Sequence, residues 1–173
     1  MSLILLADDS PHAQRMGQRI LDGEGFAVAC VANGKDAALR FREADPDVVI
    51  ADAHLPGLNG FDLCRDVKSR SRHVRVILTV GSLEELDEAA AHRAGCDAIL
   101  RKPFEASEIM AVVRPLAREA QEARRMGHAA SDVSNSAASP ADDIRAAVER
   151  TVERELPRFL DEVTQKVLAA LGR

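Results

Sequence analysis

Short apolar runs alternate along most of the chain with longer segments in which apolar residues recur at helical spacing. The runs have the length and residue types of strands, and they cover residues 3–7, 26–31, 48–51, 74–78 and 98–100. The segments with helical spacing cover residues 13–22, 34–43, 61–68, 84–93 and 106–126. Continuous apolar strands that alternate with helices are typical of a parallel sheet with helices on both faces. The pattern therefore predicts an α/β domain.

Five strand–helix repeats leave few topologies, because crossovers between parallel strands are right-handed. We expect a flavodoxin-like (βα)5 doubly wound sheet with strand order 2-1-3-4-5. Ser10 and Pro11 suit the cap and first turn of the first helix. Pro115 interrupts the fifth helical segment, so this helix kinks there or a new helix begins.

The composition changes after this domain. Residues 127–140 are small and polar and show no period, which is typical of a flexible linker. Helical spacing returns at residue 141, with an apolar stripe among charges of both signs. We divide the chain into a domain over 1–121, a linker over 122–140 and an amphipathic helical tail over 141–173. The tail is too short to fold alone, so it docks on the domain, self-associates or binds a partner protein.

Charge and cysteine content narrow the classes of function. The net charge of −5 argues against nucleic acid as a partner, since nonspecific binding requires a basic face. The three cysteines form no CxxC pair and are expected to be free thiols in a reducing cytoplasm. No run is long enough to insert into a membrane, and no basic segment of a signal peptide precedes the first strand.

Polar residues stand at the carboxyl ends of four predicted strands, where ligands bind in such sheets. These residues are Asp8, Asp9, Asp52, Thr79 and Lys102. Three carboxylates within about 5 Å of each other repel by roughly 3 kcal/mol per pair, so they recruit a cation. Oxygen ligands with open positions suit Mg²⁺, and a carboxylate beside it can act as a nucleophile towards phosphorus.

The chain resembles the receiver domain of bacterial two-component response regulators. The resemblance is carried by Asp8-Asp9 after strand one, Asp52 with Pro56 and Gly60 after strand three, Thr79 after strand four, and Lys102-Pro103-Phe104 after strand five. Five separate positions match in order, and they span roughly residues 1–116. No single one of these positions would identify the family.

The resemblance implies a role for each matched residue. Asp52 accepts a phosphoryl group from a sensor histidine kinase or a phosphotransfer protein. Asp8, Asp9, Asp52 and the backbone carbonyl of His54 hold Mg²⁺. Thr79 is the switch hydroxyl, and Lys102 pairs with Asp52 and then with the phosphoryl group, aimed by a cis peptide bond before Pro103.

Three residues depart from the family pattern. Ile99 stands where receivers usually carry a Tyr or Phe, so the switch lacks its rotating aromatic ring. Val80 replaces a frequent Ala, and Gly81 replaces a residue that is often charged. None of the three removes a group that takes part in phosphoryl transfer.

We predict a cytoplasmic phosphoacceptor regulator that is not an enzyme beyond self-catalysed phosphorylation and dephosphorylation at Asp52. Its output is expected to be protein–protein interaction rather than direct DNA binding, because the tail is short for a helix-turn-helix and more acidic than basic. The alternative is a receiver that is never phosphorylated and serves as a scaffold or oligomerisation protein. A flavin site is disfavoured, since Asp8 and Asp9 would repel a phosphate.

Overall fold

The computed structural model describes residues 2–84 and 87–136, with side chains up to residue 127. The chain divides into two compact units, and the first is Met1–Gly127. The predicted tail over 141–173 lies outside the described residues, and so does the end of the predicted linker. The predicted division into domain, linker and tail stays a prediction.

Strands and helices alternate through the first unit as the apolar pattern predicts. The strands are β1 (Leu3–Ala7), β2 (Ala27–Val31), β3 (Val48–Asp52), β4 (Arg75–Gly81) and β5 (Ala98–Lys102). The helices are α1 (Pro11–Gly23), α2 (Gly34–Ala44), α3 (Gly60–Arg70), α4 (Glu88–Ala94) and α5 (Ala106–Ser136). All strand pairs are parallel and the order is β2-β1-β3-β4-β5, which confirms the predicted flavodoxin-like fold.

Helix ends follow local capping chemistry. Ser10 caps α1, its hydroxyl accepting a hydrogen bond from the Ala13 amide, and Pro11 opens the helix as predicted. Helix α4 begins later than the apolar spacing predicts, because the Asp87 carboxylate accepts from the Ala90 amide and caps it there. Gly95 then ends α4 in the left-handed conformation at φ 78°.

Helix α5 differs most from its sequence pattern. It is one helix through Pro115, rather than two helices that meet there. It also continues to Ser136, so the described helix extends into the range 122–140 that the sequence predicts to be a linker.

Two apolar layers cover the sheet, one on each face. Alternate residues of a strand point to opposite faces, so Leu5 and Val49 belong to one layer and Ile4 and Ile50 to the other. The first layer packs against α2, α3 and α4, and the second against α1 and α5. All five residues of β3 are buried, as expected for the central strand of a doubly wound sheet.

The parallel register brings the polar strand ends to one edge. Asp52 lies beside Thr79 in the β3–β4 pair, and Lys102 lies beside Gly81 in the β4–β5 pair. The Asp8 amide donates to the Val31 carbonyl oxygen at the end of β2. Among the described residues, no helix has the length and apolar character needed to span a membrane.

Candidate functional site

Two carboxylates and one ammonium meet at the carboxyl edge of the sheet. Lys102 Nζ donates to Asp8 Oδ2 at 2.6 Å and also to Asp52 Oδ2. Asp8 and Asp52 are buried, with 3% and 8% of their surfaces exposed. Buried carboxylates without a counter-charge are costly, so one ammonium shared between them stabilises the charged form of both.

Backbone amides hold the other oxygen of each carboxylate. Asp8 Oδ1 accepts from the Ser10 amide at 2.9 Å, and Asp52 Oδ1 accepts from the His54 amide at 2.7 Å. The loops that follow β1 and β3 thus orient the carboxylates. As a result, Oδ2 of each faces Lys102.

The ammonium of Lys102 stays charged despite its partial burial. Burial lowers its pKa, but hydrogen bonds and charge from Asp52 and Asp8 together outweigh burial and raise the pKa above its ordinary 10.5. A raised pKa means that this pairing is complete at neutral pH and is lost only as the pH rises through the folded-state value. The peptide bond between Lys102 and Pro103 is cis.

Thr79 and Val80 are both buried at the end of β4. Thr79 is 2% exposed and its carbonyl oxygen accepts from the Ala53 amide at 2.8 Å, which fixes the strand end beside Asp52. Val80 is fully buried. Ile99, the residue in place of the family's aromatic ring, is half-buried and packs against the first apolar layer.

Asp9 differs from the other two carboxylates in its burial. It is exposed, and it forms no hydrogen bond or ion pair within the described part of the chain. Over residues 2–84 and 87–127, no three His, Cys, Asp or Glu side chains are grouped closely enough to hold a metal ion. Instead, Lys102 contacts two carboxylates, so that its positively charged ammonium group lies between Asp8 and Asp52. Such a donor set fits a hard cation that keeps most of its waters, such as Mg²⁺.

Sequence reasoning missed two side chains around the pocket. Gln14 Nε2 donates to the carbonyl oxygens of Asp8 and Val31 at 2.6 and 3.0 Å, tying the ends of β1 and β2 together. Glu84 Oε2 lies 3.1 Å from His54 Nδ1 and accepts from the Gly81 amide. The Gln14–Val31 contact joins residues 17 apart in sequence, and the His54–Glu84 contact joins two different loops, so no short-range pattern pairs them.

Comparisons with known proteins agree on one family. Residues 4–114 match the response regulator receiver domain. The DNA-binding response regulator MtrA of Mycolicibacterium smegmatis is 36% identical over 111 residues, which is 64% of this chain and 48% of that protein. The chain thus spans about half the length of the curated relatives that it matches.

Two solved structures share the fold. One is a putative response regulator from Chloroflexus aurantiacus, with 27% identity and a TM-score of 0.64 over 68% of this chain and 98% of that one. The other is the receiver domain of a sensor histidine kinase from Pseudomonas aeruginosa, with a magnesium ion coordinated in its active-site cleft. Its identity is 28% and its TM-score 0.61, over 69% of this chain and 98% of that one.

The relatives correct two predictions about partners. The sequence predicts that signalling does not involve direct DNA binding and that nucleic acid is not a partner. Both predictions are wrong, since the related MtrA protein is itself a DNA-binding response regulator. The reasoning failed because a net charge of −5 is a sum over the whole chain. Contact with DNA depends instead on a local basic face.

Proposed function

The chain belongs to the response regulator receiver domain family, and we propose that it accepts a phosphoryl group on Asp52 from a sensor histidine kinase or a phosphotransfer protein. The observation that carries this proposal is the contact of Lys102 Nζ with both Asp8 and Asp52 at the buried end of the sheet. That arrangement combines a carboxylate nucleophile with a fixed positive charge. The three free cysteines support a reducing compartment, the cytoplasm, for this reaction.

In the proposed transfer, a carboxylate oxygen of Asp52 attacks the phosphorus atom of a phosphohistidine. An O–P bond forms and the N–P bond breaks, and the imidazole nitrogen leaves with the electron pair and takes up a proton. Lys102 neutralises charge on the incoming group, since its raised pKa keeps it protonated. The Thr79 hydroxyl, on the neighbouring strand, donates a hydrogen bond to a phosphoryl oxygen afterwards.

The proposal includes the divalent cation Mg²⁺ as the cofactor. Asp8, Asp9, Asp52 and the backbone carbonyl of His54 would hold it. When bound, the ion screens the negative charge that accumulates as the phosphoryl group approaches. Asp8 and Asp52 provide buried oxygens for it, while the Asp9 side chain is exposed. Beyond phosphorylation and dephosphorylation of its own Asp52, we propose no reaction that this chain catalyses.

The test is incubation of the full chain with Mg²⁺ and phosphoramidate, followed by measurement of the intact mass. We expect the wild type to gain one phosphoryl group and Asp52→Asn to gain none, because the amide is not a nucleophile of this kind. Chelation with EDTA should abolish the gain. Asp62→Asn is the matched control, since it makes the same change at a partly exposed carboxylate on α3. An equal gain in Asp52→Asn would overturn the proposal.

A second candidate function is transcriptional control through DNA binding, which the identity of the related MtrA protein favours. The test is selection from a pool of random-sequence DNA duplexes by the full chain, with and without phosphoramidate, at several salt concentrations. Reproducible enrichment of one sequence would support this function. If binding to all sequences disappears equally at moderate salt, the binding is nonspecific charge attraction, and transcriptional control by this chain is not supported.

A further inference from the structure

A shallow cavity of about 470 Å³, largely open to solvent, lies between the end of α2 and the loop that joins α3 to β4. Helix α2 ends just before β3 starts, and this loop leads into β4, so the cavity is at the amino-terminal edge of the sheet. The Asp52 pocket is at the opposite edge. The wall includes Phe41, a buried aromatic side chain, and three arginines, namely Arg42, Arg70 and Arg72. The proposed phosphoryl transfer uses none of these residues.

One carboxylate holds two of the arginines in place. Arg42 Nη2 lies 3.1 Å from Asp66 Oδ2, and Arg70 Nε lies 2.6 Å from Asp66 Oδ1. Arg72 is exposed and forms no hydrogen bond or ion pair within the part of the chain that the structure describes. Two guanidinium groups are therefore oriented around the cavity, and a third is available to a ligand.

The other charges around the cavity leave an excess of positive charge. Asp45 lines it as well, but Arg124 Nη1 pairs with Asp45 Oδ2 at 2.9 Å. His73 Nε2 lies 3.1 Å from Asp45 Oδ1. The Ser71 hydroxyl adds a polar group that can donate to an anion. The three arginines against Asp45 and Asp66 leave a local net charge of about +1, in a chain whose net charge is −5.

We propose that this cavity binds a small phosphorylated anion, with its phosphate group held by Arg72 and by the guanidinium groups of Arg42 and Arg70. Guanidinium groups bind phosphate through paired N–H donors in a planar fork, so three of them around one hollow suit this ligand. The volume is in the range of small-molecule sites. A DNA duplex is less suited, because it contacts proteins through many phosphates along an extended basic face, and three arginines at one site do not form such a face.

Isothermal titration of the full chain with pyrophosphate tests the proposal. EDTA is present throughout, so that no divalent ion can carry pyrophosphate into the pocket of Asp8 and Asp52. We expect saturable binding with a Kd of about 1 mM or tighter, weakened about tenfold by Arg72→Gln. Arg19→Gln is the matched control and should leave the Kd unchanged, because Arg19 is an exposed arginine of α1 without an ion pair among the described residues.

A second variant should change the affinity in the opposite direction. Asp66→Asn removes the charge that occupies Arg42 and Arg70, so pyrophosphate should bind several-fold more tightly than to the wild type. Asp62→Asn makes the same change on the same helix, away from the cavity, and should have no effect. Equal weakening by Arg72→Gln and Arg19→Gln, or absence of saturable binding, would overturn the proposal. Arg72-dependent binding of duplex DNA without binding of pyrophosphate would also overturn it.

Discussion

Gly60 allows the loop after β3 to fold back against the strand that carries Asp52. Its amide donates to the Ala53 carbonyl oxygen at 3.1 Å. A Cβ atom at this position would lie 2.3 Å from the Asp52 carbonyl oxygen and 2.9 Å from Ala53 Cα. Both neighbours are backbone atoms, which cannot move aside as a flexible side chain can.

Gly60→Ala should therefore destabilise the protein, by about 2–3 kcal/mol in urea unfolding. It should also displace Asp52 and slow its modification by phosphoramidate. Gly23→Ala is the control, since a Cβ there meets nothing within 4 Å and Gly23 is the last residue of α1. That variant should be neutral or slightly stabilising. Equal stability of the two variants would show that the close approach has no energetic consequence.

Cys64 is the most buried of the three cysteines, and we expect it to be the least reactive. It is fully buried, its thiol donates to the Ala94 carbonyl oxygen, and burial, with a smaller effect of Cys96, raises its pKa from 9.0 to about 12. At pH 8 we expect an alkylating reagent to modify Cys30 and Cys96, which are half-buried, before Cys64. Mass spectrometry of peptides after timed labelling measures the order. All three should react alike in urea, and fast labelling of Cys64 in the folded state would contradict the expectation.

The same raised pKa gives stability a pH dependence. The folded state keeps a proton on Cys64 that the unfolded chain releases above about pH 9, so this contribution is complete below that pH and is lost as pH rises towards 12. Urea unfolding from pH 8 to 10.5 should show a steeper loss of stability in the wild type than in Cys64→Ala. Parallel pH profiles would remove Cys64 as the cause.

At the scale of elements, Pro115 is a defect that helix α5 tolerates. A proline inside a helix lacks the N–H that would donate to the carbonyl four residues earlier, and its ring crowds that carbonyl. Pro115 is exposed, so its ring contributes little packing to offset the defect. The packing of Ile109, Val113 and Ala117 on the sheet is what keeps the helix continuous.

Pro115→Ala should therefore stabilise the protein, by about 1–2 kcal/mol in urea unfolding, as the missing hydrogen bond is restored. Arg118→Ala tests for general effects of substitution on the exposed face of α5, and it should change stability by less than about 0.5 kcal/mol. A loss of stability in Pro115→Ala would indicate that the proline has a role which the contacts do not show.

At the scale of the whole molecule, α5 contacts the rest of the domain through residues that lie beyond the end of the family match. The match stops at residue 114, but Ala117 and Ala120 are buried further along the helix. Gln121 Nε2 donates to the Ser2 hydroxyl at 2.6 Å, and Arg124 pairs with Asp45. These contacts join the middle of the helix to the amino-terminal edge of the sheet.

A chain that ends at Gly127 should unfold cooperatively with a stability within about 1 kcal/mol of the full chain, because each apolar layer, as far as the structure describes side chains, is built from residues before that point. A chain that ends at Leu116 should lose at least about 2 kcal/mol, from the buried alanines and the lost polar contacts. Urea unfolding of both chains against full length measures the difference. Equal stability of the two shortened chains would show that the end of α5 is dispensable.

The apolar pattern was sufficient to predict the five strands, the parallel sheet and the order of its strands. The period and length of each apolar segment decide whether that segment forms a strand or a helix. Right-handed crossovers between parallel strands then leave few topologies. The polar residues at the strand ends could be named for the same reason, because parallel strands bring their carboxyl ends to one edge. The ends of helices were less predictable, since α4 starts where Asp87 caps it and α5 continues through Pro115.

Only the tertiary structure decided which side chains share the site. Asp8 and Asp9 are adjacent in sequence, yet Asp8 is buried against Lys102 and Asp9 is exposed, because successive side chains at the end of a strand point in opposite directions. The cavity around Arg72 likewise forms from the end of α2 and a loop some thirty residues later in the chain. Such contacts depend on packing between distant segments, which the local hydrophobic pattern does not encode.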